Sequence, residues 1–150
     1  MTGQGVPGGE PQRTVDIVAI AGTGPERDML LIRRQASPYE GLLALPGGRV
    51  HADENPVDAV VRVFGDATGI VIGRNQLREV GQFDAVGRDP RGPSITTAYK
   101  VRFPDRVKLA GNGNGAAWHR VLSVMCEPLA FDHADISSHA EFAWTRAGSR

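Results

Sequence analysis

The segment from Pro46 to Gly69 constrains the fold of this chain more than any other part of the sequence. Pro46-Gly47-Gly48 predicts a sharp turn, because glycine reaches backbone conformations that other residues avoid. Asn55 is a favourable N-cap, Pro56 a favourable first helical residue, and Gly69 a typical C-terminal stop. We therefore predict a glycine turn followed by one helix. The apolar residues of that helix recur at spacings of three and four; they are Ala59, Val60, Val63, Phe64 and Ala67.

Strand-like segments surround this turn and helix. Segments with the β-branched and apolar composition of strands are residues 14–21, 29–33, 76–83, 94–103 and 116–120. A short apolar segment at 42–45 precedes the glycine turn, and 112–115 predicts a flexible turn. The helical spacing of Ile136, Ala140, Ala143 and Trp144 predicts a second amphipathic helix. Strands interspersed with two helices predict an α/β fold, an α/β/α sandwich with a central mixed β-sheet.

The length of the chain predicts one domain with an N-terminal tail. A chain of 150 residues is long enough for one domain with a substantial core. Residues 1–12 are rich in glycine, proline and glutamine, and they lack the basic start and apolar stretch of a secretory signal. They predict a disordered tail, which leaves 13–150 as the single folded domain.

Charge, hydropathy and cysteine content limit the partners that we expect. Seventeen basic and seventeen acidic residues cancel, so no net positive field draws the chain to nucleic acid or to an anionic membrane. The longest apolar runs are far too short to span a bilayer. Cys126 is the only cysteine, and it can form neither an intramolecular disulfide nor, alone, a zinc site. We therefore expect a cytoplasmic protein with no nucleic-acid partner and no membrane partner.

The glycine turn and its helix resemble the signature box of the Nudix superfamily. Counting from Gly48, Glu54 falls on the first glutamate of that box, Arg62 on its arginine and Gly69 on its closing glycine. The motifs LLIRR, LALPGG, GRDPRG, AAWH and LAFDHADI follow, in order, one subgroup of the superfamily, which contains ADP-ribose pyrophosphatases and ADP-ribose-sensing repressors. The resemblance implies a Nudix-type fold and a small nucleotide-like ligand, a nucleoside diphosphate such as ADP-ribose. A homodimer is among the assemblies that it implies.

Most carboxylates of the resembled box are missing. Its three helical glutamate positions hold Val63, Asp66 and Ala67. In the family these acids hold divalent metal against a diphosphate, and such metals need several oxygen ligands. The resemblance makes Glu54 and Asp66 the remaining metal ligands, and Glu54, Arg62 and Asp66 the catalytic residues. It implies Mg²⁺ or Mn²⁺ if the chain is catalytic, and no cofactor if it is not.

The remaining candidate residues concern ligand binding. Gly47 and Gly48 form the turn that in the family approaches the diphosphate. Arg33 and Arg34 end a strand; we expect one of them to face the phosphates and the other to face water, and we name Arg33 as the ligand-binding candidate. Arg88 and Arg91 lie in the loop at 84–93, and arginine suits phosphate through its planar guanidinium; the alternative is a solvated turn. His133 lies between two acids and is either a general base or a structural residue where Asp132 or Asp135 caps the last helix.

Three functions follow from these residues. The chain is a Nudix hydrolase-family protein that acts on or binds an ADP-ribose-like nucleoside diphosphate, with diphosphate hydrolysis weak, altered or lost. Alternatively, it is a non-catalytic ligand sensor or regulatory protein, or a metal-free enzyme that uses His133, His119 or Glu54 as acid or base. The resembled repressors carry a winged-helix domain after their last helix; because the sequence ends at Arg150, we expect no DNA recognition by that means.

Overall fold

The computed structural model describes residues 10–110 and 115–141. In this part of the chain one sheet contains β1 (Gln12–Ala21), β2 (Asp28–Arg33), β3 (Leu43–Ala44), β4 (Gly47–Arg49), β5 (Arg78–Phe83), β6 (Ser94–Phe103) and β7 (Ala116–Arg120). The helices are α1 (Pro56–Thr68), α2 (Val121–Val124) and α3 (His133–Ala140), with short 3-10 turns at Gly24–Glu26 and Arg74–Gln76. No helix in the described ranges is both long enough and apolar enough to cross a bilayer.

Strand β1 lies at the centre of the sheet. It runs parallel to β6 along its whole length, from Gln12 opposite Ser94 to Ala21 opposite Phe103. On its other edge it pairs antiparallel with β4 near its start and with β2 near its end. Strand β5 lies beyond β6, and both β3 and β7 pair with β2. The sheet is therefore mixed, with its central strand covered on both edges.

Helices cover both faces of this sheet. Side chains alternate along β1, so they enter two separate apolar layers. Ile17 packs in the layer that contains Phe64 of α1. Val18 packs in the opposite layer, which contains Val121 of α2 and Ile136 of α3. This arrangement confirms the predicted α/β/α sandwich with a central mixed sheet.

Helix α1 begins and ends where the sequence predicts. The Asn55 side chain accepts a hydrogen bond of 3.0 Å from the Asp58 backbone N–H, and Pro56 is the first helical residue. Gly69 is left-handed, with φ of 79°, and its N–H donates to the Gly65 carbonyl at 2.8 Å. These caps satisfy backbone groups that the helix cannot pair internally.

Helix α3 is tied to the sheet at its end by a buried carboxylate. Glu141 accepts hydrogen bonds from Lys100 Nζ at 2.7 Å and from Arg102 Nη2 at 2.9 Å, and it forms an ion pair with Arg27. Burial by itself would raise the pKa of Glu141, but Lys100 and Arg102 hold that pKa below its usual value. Because α3 is anchored in this way, the segment that precedes it is also held over the sheet.

Several predicted boundaries change in the structure. Residues 1–9 of the predicted tail lie outside the described ranges, as do 112–114 of the predicted turn and Ala143 and Trp144 of the last helix. Gln12 already belongs to β1, because its N–H donates to the Pro93 carbonyl and it pairs with Ser94. Helix α2, with only four residues, has no counterpart in the sequence prediction.

Candidate ligand-binding cleft

A polar cleft lies on the face of the sheet that α3 covers. It is bounded by β1, by the turn between β3 and β4, by the loop before β6 and by the segment that leads into α3; its volume is about 220 Å³. Its lining consists of Gln12, Thr14, Asp16, Arg34, Ala44, Leu45, Gly47, Gly48, Arg49, Arg88, Asp89, Arg91, Ser94, Phe131 and His133. We call it the Asp16 cleft. Arginines outnumber aspartates in this lining, which favours an anionic ligand.

Asp16 is the charged residue at the floor of this cleft. It stands in the buried, otherwise apolar part of β1 and is only 6% exposed. Its Oδ2 accepts a hydrogen bond of 2.7 Å from the Thr96 hydroxyl on β6, and Arg88 Nη2 lies 3.9 Å from the same oxygen. A buried carboxylate is costly unless it is hydrogen-bonded and paired, so these contacts stabilise Asp16 at this position.

His133, in the first turn of α3, faces Asp16 across the floor. Its Nδ1 accepts a hydrogen bond of 3.0 Å from the Leu45 backbone N–H, and its Nε2 lies 3.4 Å from Asp16 Oδ1. A backbone N–H can only donate, so Nδ1 carries no proton and the ring proton is on Nε2, towards Asp16. His133 thereby connects α3 to β1 and to the residue that precedes the glycine turn.

Arg88 is a buried guanidinium that joins the loop at 84–93 to the start of α3. Its Nε and Nη2 donate to the two carboxylate oxygens of Asp132 at 2.9 and 2.7 Å, and its Nη1 donates to the Ser94 hydroxyl at 2.8 Å. Burial by itself would lower the pKa of Arg88, but Asp132 and the charge of Asp16 raise it above its usual value. Arg88 therefore stays charged and fixes the loop beside the cleft.

Phe131 forms the aromatic wall of the cleft. The guanidinium carbons of Arg34 and Arg91 lie 5.0 and 5.6 Å from the centre of its ring, within the range of cation–π contacts. The ring of Tyr39 meets it edge-on at 4.9 Å. Phe131 and Tyr39 have φ values of 55° and 63°, a left-handed conformation that is uncommon for residues other than glycine and clusters at functional sites.

Arg91 is held in place by Asp89. Its Nε and Nη2 donate to the two carboxylate oxygens of Asp89 at 3.0 and 2.9 Å, and its backbone N–H also donates to that carboxylate. The hydrogen bond to Asp89 raises the pKa of Arg91 above its usual value. The cleft thus presents two oriented guanidinium groups beside one aromatic ring, a combination that suits a ligand with both a phosphate and an apolar or planar part.

The glycine turn is shaped by what lies on its two sides. A Cβ at Gly47 would overlap the Asp16 carboxylate and come within 2.7 Å of the Val15 carbonyl oxygen. A Cβ at Gly48 would come within 3.0 Å of Val63 Cγ2 on α1. Glycine at both positions therefore allows the backbone to lie directly against Asp16 on one side and against α1 on the other.

Glu54 and Arg62 brace the loop between β4 and α1. Arg62 Nε and Nη2 donate to Glu54 Oε2 and Oε1 at 2.9 and 2.8 Å, and Arg62 Nη2 also donates to the Arg49 carbonyl at 2.8 Å. The His51 backbone N–H donates to Glu54 Oε1 at 3.0 Å. The hydrogen bonds from Arg62, with help from His51, lower the pKa of Glu54 to about 2. Both Glu54 oxygens are therefore occupied by protein donors.

A family model described as the NUDIX domain matches residues 10–140, which is most of the chain. The chain belongs to the Nudix family. It is 33% identical over 111 residues to an ADP-ribose pyrophosphatase of Methanocaldococcus jannaschii, an alignment that covers 74% of this chain and 64% of that protein. It is 30% identical over 134 residues to the ADPR responsive transcriptional repressor NtrR of Acinetobacter baylyi, covering 87% of this chain and 53% of that protein.

A solved structure agrees with this assignment. The NUDIX domain of Shewanella oneidensis NrtR, crystallised with ADP ribose, has a TM-score of 0.78 to this chain at 26% identity, and the match covers 91% of this chain and 90% of that one. The chain spans only 53% to 64% of the lengths of the two curated relatives. The Nudix fold is therefore established for the described residues.

The prediction that the chain has no nucleic-acid partner is wrong. The Acinetobacter relative is a transcriptional repressor. Shewanella NrtR was also solved with a 27mer DNA; that structure has a TM-score of 0.72 at 28% identity, and the match covers 85% of this chain and 59% of that one. Net charge is a sum over the whole chain and does not report a local patch. The position at which this sequence ends gives no information about DNA binding either, because the relatives are longer than this chain. Neither observation excludes DNA.

The residues at the Nudix acid positions do not fit a divalent metal. Nudix hydrolases generally use such ions, and Mg²⁺ requires a convergent set of oxygen ligands. The Glu54 oxygens are bound by Arg62, and Val63 is buried in the apolar layer below α1. Asp66 is exposed, and Ala67 has no oxygen in its side chain. Within residues 10–110 and 115–141, no three or more His, Cys, Asp or Glu side chains are grouped to hold a metal.

The structure brings some predicted ligand-binding residues together and leaves others apart. Gly47, Gly48, Arg88 and Arg91 all line the Asp16 cleft. Arg33 does not; it is exposed, and its Nη1 donates to the Gly41 carbonyl at 2.8 Å. The lining contains the following residue, Arg34, instead, because consecutive side chains in extended backbone point to opposite sides. The predicted catalytic residues Glu54, Arg62 and Asp66 are not part of the lining.

Sequence reasoning missed Asp16, Phe131 and the role of Asp132. Asp132 occupies the N-cap position of α3, but its carboxylate binds Arg88 and makes no cap bond. A signal for Asp16 was present, because a charged residue within an apolar strand is rarely buried without a specific partner. Phe131 lies in the motif LAFDHADI, yet nothing in that motif indicates that its ring meets Arg34.

Proposed function

We propose that this chain binds a nucleoside diphosphate of the ADP-ribose class in the Asp16 cleft without needing a divalent metal, and that its diphosphate hydrolysis is weak or lost. One observation carries the proposal. The cleft brings two guanidinium groups against the aromatic ring of Phe131. The acid positions on α1, in contrast, do not converge on a point where the described residues could hold a metal. Guanidinium groups neutralise phosphate directly, which is the task that a metal performs in a hydrolytic site.

Arg34 is the arginine best placed to bind phosphate. Its Nε donates to the Pro38 carbonyl at 2.6 Å and its Nη2 to the Ala36 carbonyl at 3.4 Å. These neutral acceptors orient the guanidinium but do not compensate its charge, and within residues 10–110 and 115–141 its Nη1 has no hydrogen-bond partner. Arg88 and Arg91, in contrast, are each paired with an aspartate. Arg34 therefore provides the direct contact, while the other two shape the cleft and its field.

The relatives support this class of ligand. One relative is named for its response to ADPR, one for hydrolysis of ADP-ribose, and one Nudix domain of similar fold was crystallised with ADP ribose. A repressor and a hydrolase of this family are therefore named for the same molecule, so the choice between the two functions rests here on the donor set near α1 of this chain. For this chain that donor set favours binding over metal-dependent cleavage.

Hydrolysis is the second candidate function, and two observations favour it. The Methanocaldococcus relative, 33% identical over 111 residues, is named a pyrophosphatase. The resemblance to the Nudix box also implies an ion pair between Arg62 and the loop glutamate, and Arg62 donates two hydrogen bonds to Glu54 in this chain. Mg²⁺ or Mn²⁺ would then have to bind near Glu54 and Asp66. A metal-free enzyme has weaker support, because Glu54 is held by Arg62 and both nitrogens of His133 already face protein groups.

Binding by the cleft is tested with two neighbouring arginines. Arg34→Ala removes the guanidinium over Phe131, whereas Arg33→Ala makes the same chemical change outside the cleft. By calorimetry with ADP-ribose in EDTA, we expect Arg34→Ala to raise Kd at least about tenfold, equivalent to about 1.4 kcal/mol. We expect Arg33→Ala to stay within about twofold of the unmodified chain. Equal Kd values for all three proteins would contradict the proposal.

The hydrolytic alternative is tested by turnover. ADP-ribose, nucleoside triphosphates and dinucleotides are incubated with the chain and either Mg²⁺ or Mn²⁺, and product is followed by chromatography. We expect turnover well below about 1 per second, the lower part of the usual enzymatic range. Turnover at or above that rate on any of these substrates would make the second candidate the correct function.

A further inference from the structure

The floor and the rim of the Asp16 cleft carry opposite charge. Asp16 is a carboxylate at the floor, and its side chain is exposed by only 8%. The guanidinium groups of Arg34 and Arg91 lie at the aromatic wall formed by Phe131. A phosphate is attracted to the guanidinium groups and repelled by the carboxylate, so the two ends of the cleft suit chemically different parts of one ligand.

Asp16 retains capacity to accept hydrogen bonds. An ionised carboxylate offers about four lone-pair positions. The Thr96 hydroxyl occupies one of them at 2.7 Å, and His133 Nε2 approaches a second at 3.4 Å. Arg88 contributes charge at 3.9 Å, but its donors are directed to Asp132 and Ser94. Contacts with the described residues thus account for two of these positions, and Asp16 lines the cleft, from which a further donor can approach.

The glycine turn keeps this acceptor accessible. A side chain at Gly47 would occupy the space of the Asp16 carboxylate, and Gly47 itself lines the cleft. The absence of a side chain at this point allows a ligand to approach the floor across bare backbone. The group that binds there donates a hydrogen bond and is not an anion, because a buried acceptor without a donor is costly and an anion would be repelled; in a nucleoside diphosphate sugar the hydroxyl groups meet both conditions.

We infer that Asp16 accepts a hydrogen bond from a hydroxyl group of the sugar at the far end of the diphosphate, so that the cleft selects a nucleoside diphosphate sugar over a nucleoside diphosphate that ends in phosphate. This inference rests on the proposed function, since it needs the diphosphate to lie at the arginines. It makes Asp16 the residue that determines specificity. A site built to bind a hydroxyl discriminates strongly against a ligand that lacks it.

The test compares the affinity of ADP-ribose with that of ADP in EDTA by calorimetry, for the unmodified chain, Asp16→Asn and Asp58→Asn. Asp58 is an exposed acid on α1 and provides the same chemical change away from the cleft. We expect the unmodified chain and Asp58→Asn to bind ADP-ribose at least about tenfold more tightly than ADP. In Asp16→Asn we expect this ratio to fall by about tenfold, mainly because ADP-ribose binds less tightly.

A ratio that is unchanged in Asp16→Asn overturns the inference and leaves the proposed function intact. If neither ADP-ribose nor ADP binds the unmodified chain, the proposed function itself fails. Should Asp16→Asn not fold, the contact is tested from the ligand side with ADP-ribose analogues that lack one hydroxyl of the terminal ribose. Weaker binding of at least one such analogue, by about tenfold, supports the inference, and equal binding of all of them overturns it.

The same titrations distinguish a contact of Asp16 with the sugar from a contact with the base. Inosine diphosphate ribose lacks the exocyclic amine of adenine but keeps every sugar hydroxyl. We expect Asp16→Asn to weaken its binding as much as that of ADP-ribose. If inosine diphosphate ribose instead binds the unmodified chain and Asp16→Asn equally, Asp16 contacts the base amine and the inference is overturned.

Discussion

Gly47 has no side chain because Asp16 occupies the space that a Cβ would need. Gly47→Ala forces either the turn or the carboxylate to move, and overpacking of this kind costs about 1–3 kcal/mol. We expect its free energy of unfolding, measured with urea, to fall by that amount. A change smaller than about 0.5 kcal/mol would mean that the turn adapts easily and that Asp16 does not require glycine here.

Glu54 makes stability depend on pH through its low pKa. Its pKa falls from 4.5 to about 2 on folding, because Arg62 hydrogen-bonds the ionised carboxylate. A carboxylate with a lowered folded pKa contributes stability that is fully present above pH 4.5 and is lost as pH falls towards 2. We expect the difference in unfolding free energy between the unmodified chain and Glu54→Gln to be constant above about pH 5 and to shrink below it.

Comparison with Glu54→Gln at each pH removes the contribution of the other acids, since both proteins share them. Urea unfolding at several pH values between 3 and 7 gives the two curves. A difference that does not change with pH would show that the Glu54–Arg62 brace does not depend on the charge of Glu54.

At the level of elements, Gly65 lowers the stability of α1. Glycine inside a helix costs about 1 kcal/mol relative to alanine. Among the described residues outside the backbone of α1, a Cβ at this position would meet the Ile70 carbonyl oxygen at 3.7 Å, which is an ordinary contact. We expect Gly65→Ala to raise the free energy of unfolding by about 0.5–1 kcal/mol, the opposite sign to Gly47→Ala. Destabilisation by Gly65→Ala would indicate that α1 needs freedom at this point.

The helices and strands that could be predicted are those whose sequence signals lie within or next to the element itself. Helix α1 has an N-cap, a proline and a C-terminal glycine within its own sequence. Strand β6 is rich in β-branched and apolar residues, and β7 begins with three apolar residues. Helix α2 is one turn long, too short for a helical period to be recognised. Strand β5 begins later than predicted because Gln76 closes a 3-10 turn with Gly73.

At the level of the whole molecule, the cleft depends on contacts that no local pattern contains. Asp16 meets Thr96 from 80 residues away, Arg88 meets Asp132 from 44 residues away, and Leu45 meets His133 from 88 residues away. Individual polar residues could be proposed from the sequence, as Arg88 and Arg91 were. Their arrangement around Phe131 follows only when β1, β6 and α3 are packed together.

The same packing places the Asp16 cleft and the acid positions of α1 on opposite sides of the glycine turn, although the Nudix box contains residues of both. The glycine turn passes between them, with Gly47 against Asp16 and Gly48 against Val63 of α1. On the α1 side, an apolar layer and an ionised glutamate paired with Arg62 stand where a metal would need convergent acids. On the other side, the arginine-rich cleft is fully formed. The proposed ligand-binding cleft and the Nudix acid positions therefore lie on opposite sides of the turn.

The dependence of ADP-ribose binding on divalent metal tests this separation most directly. Calorimetric titrations are run on the unmodified chain in EDTA and again in excess Mg²⁺ or Mn²⁺. If the cleft arginines alone neutralise the diphosphate, the Kd values agree within about twofold, a difference of less than about 0.5 kcal/mol. Binding that is absent in EDTA and appears only with the metal would contradict the claim that the cleft binds the diphosphate without metal. That result would place the diphosphate on the Glu54 side of the turn instead.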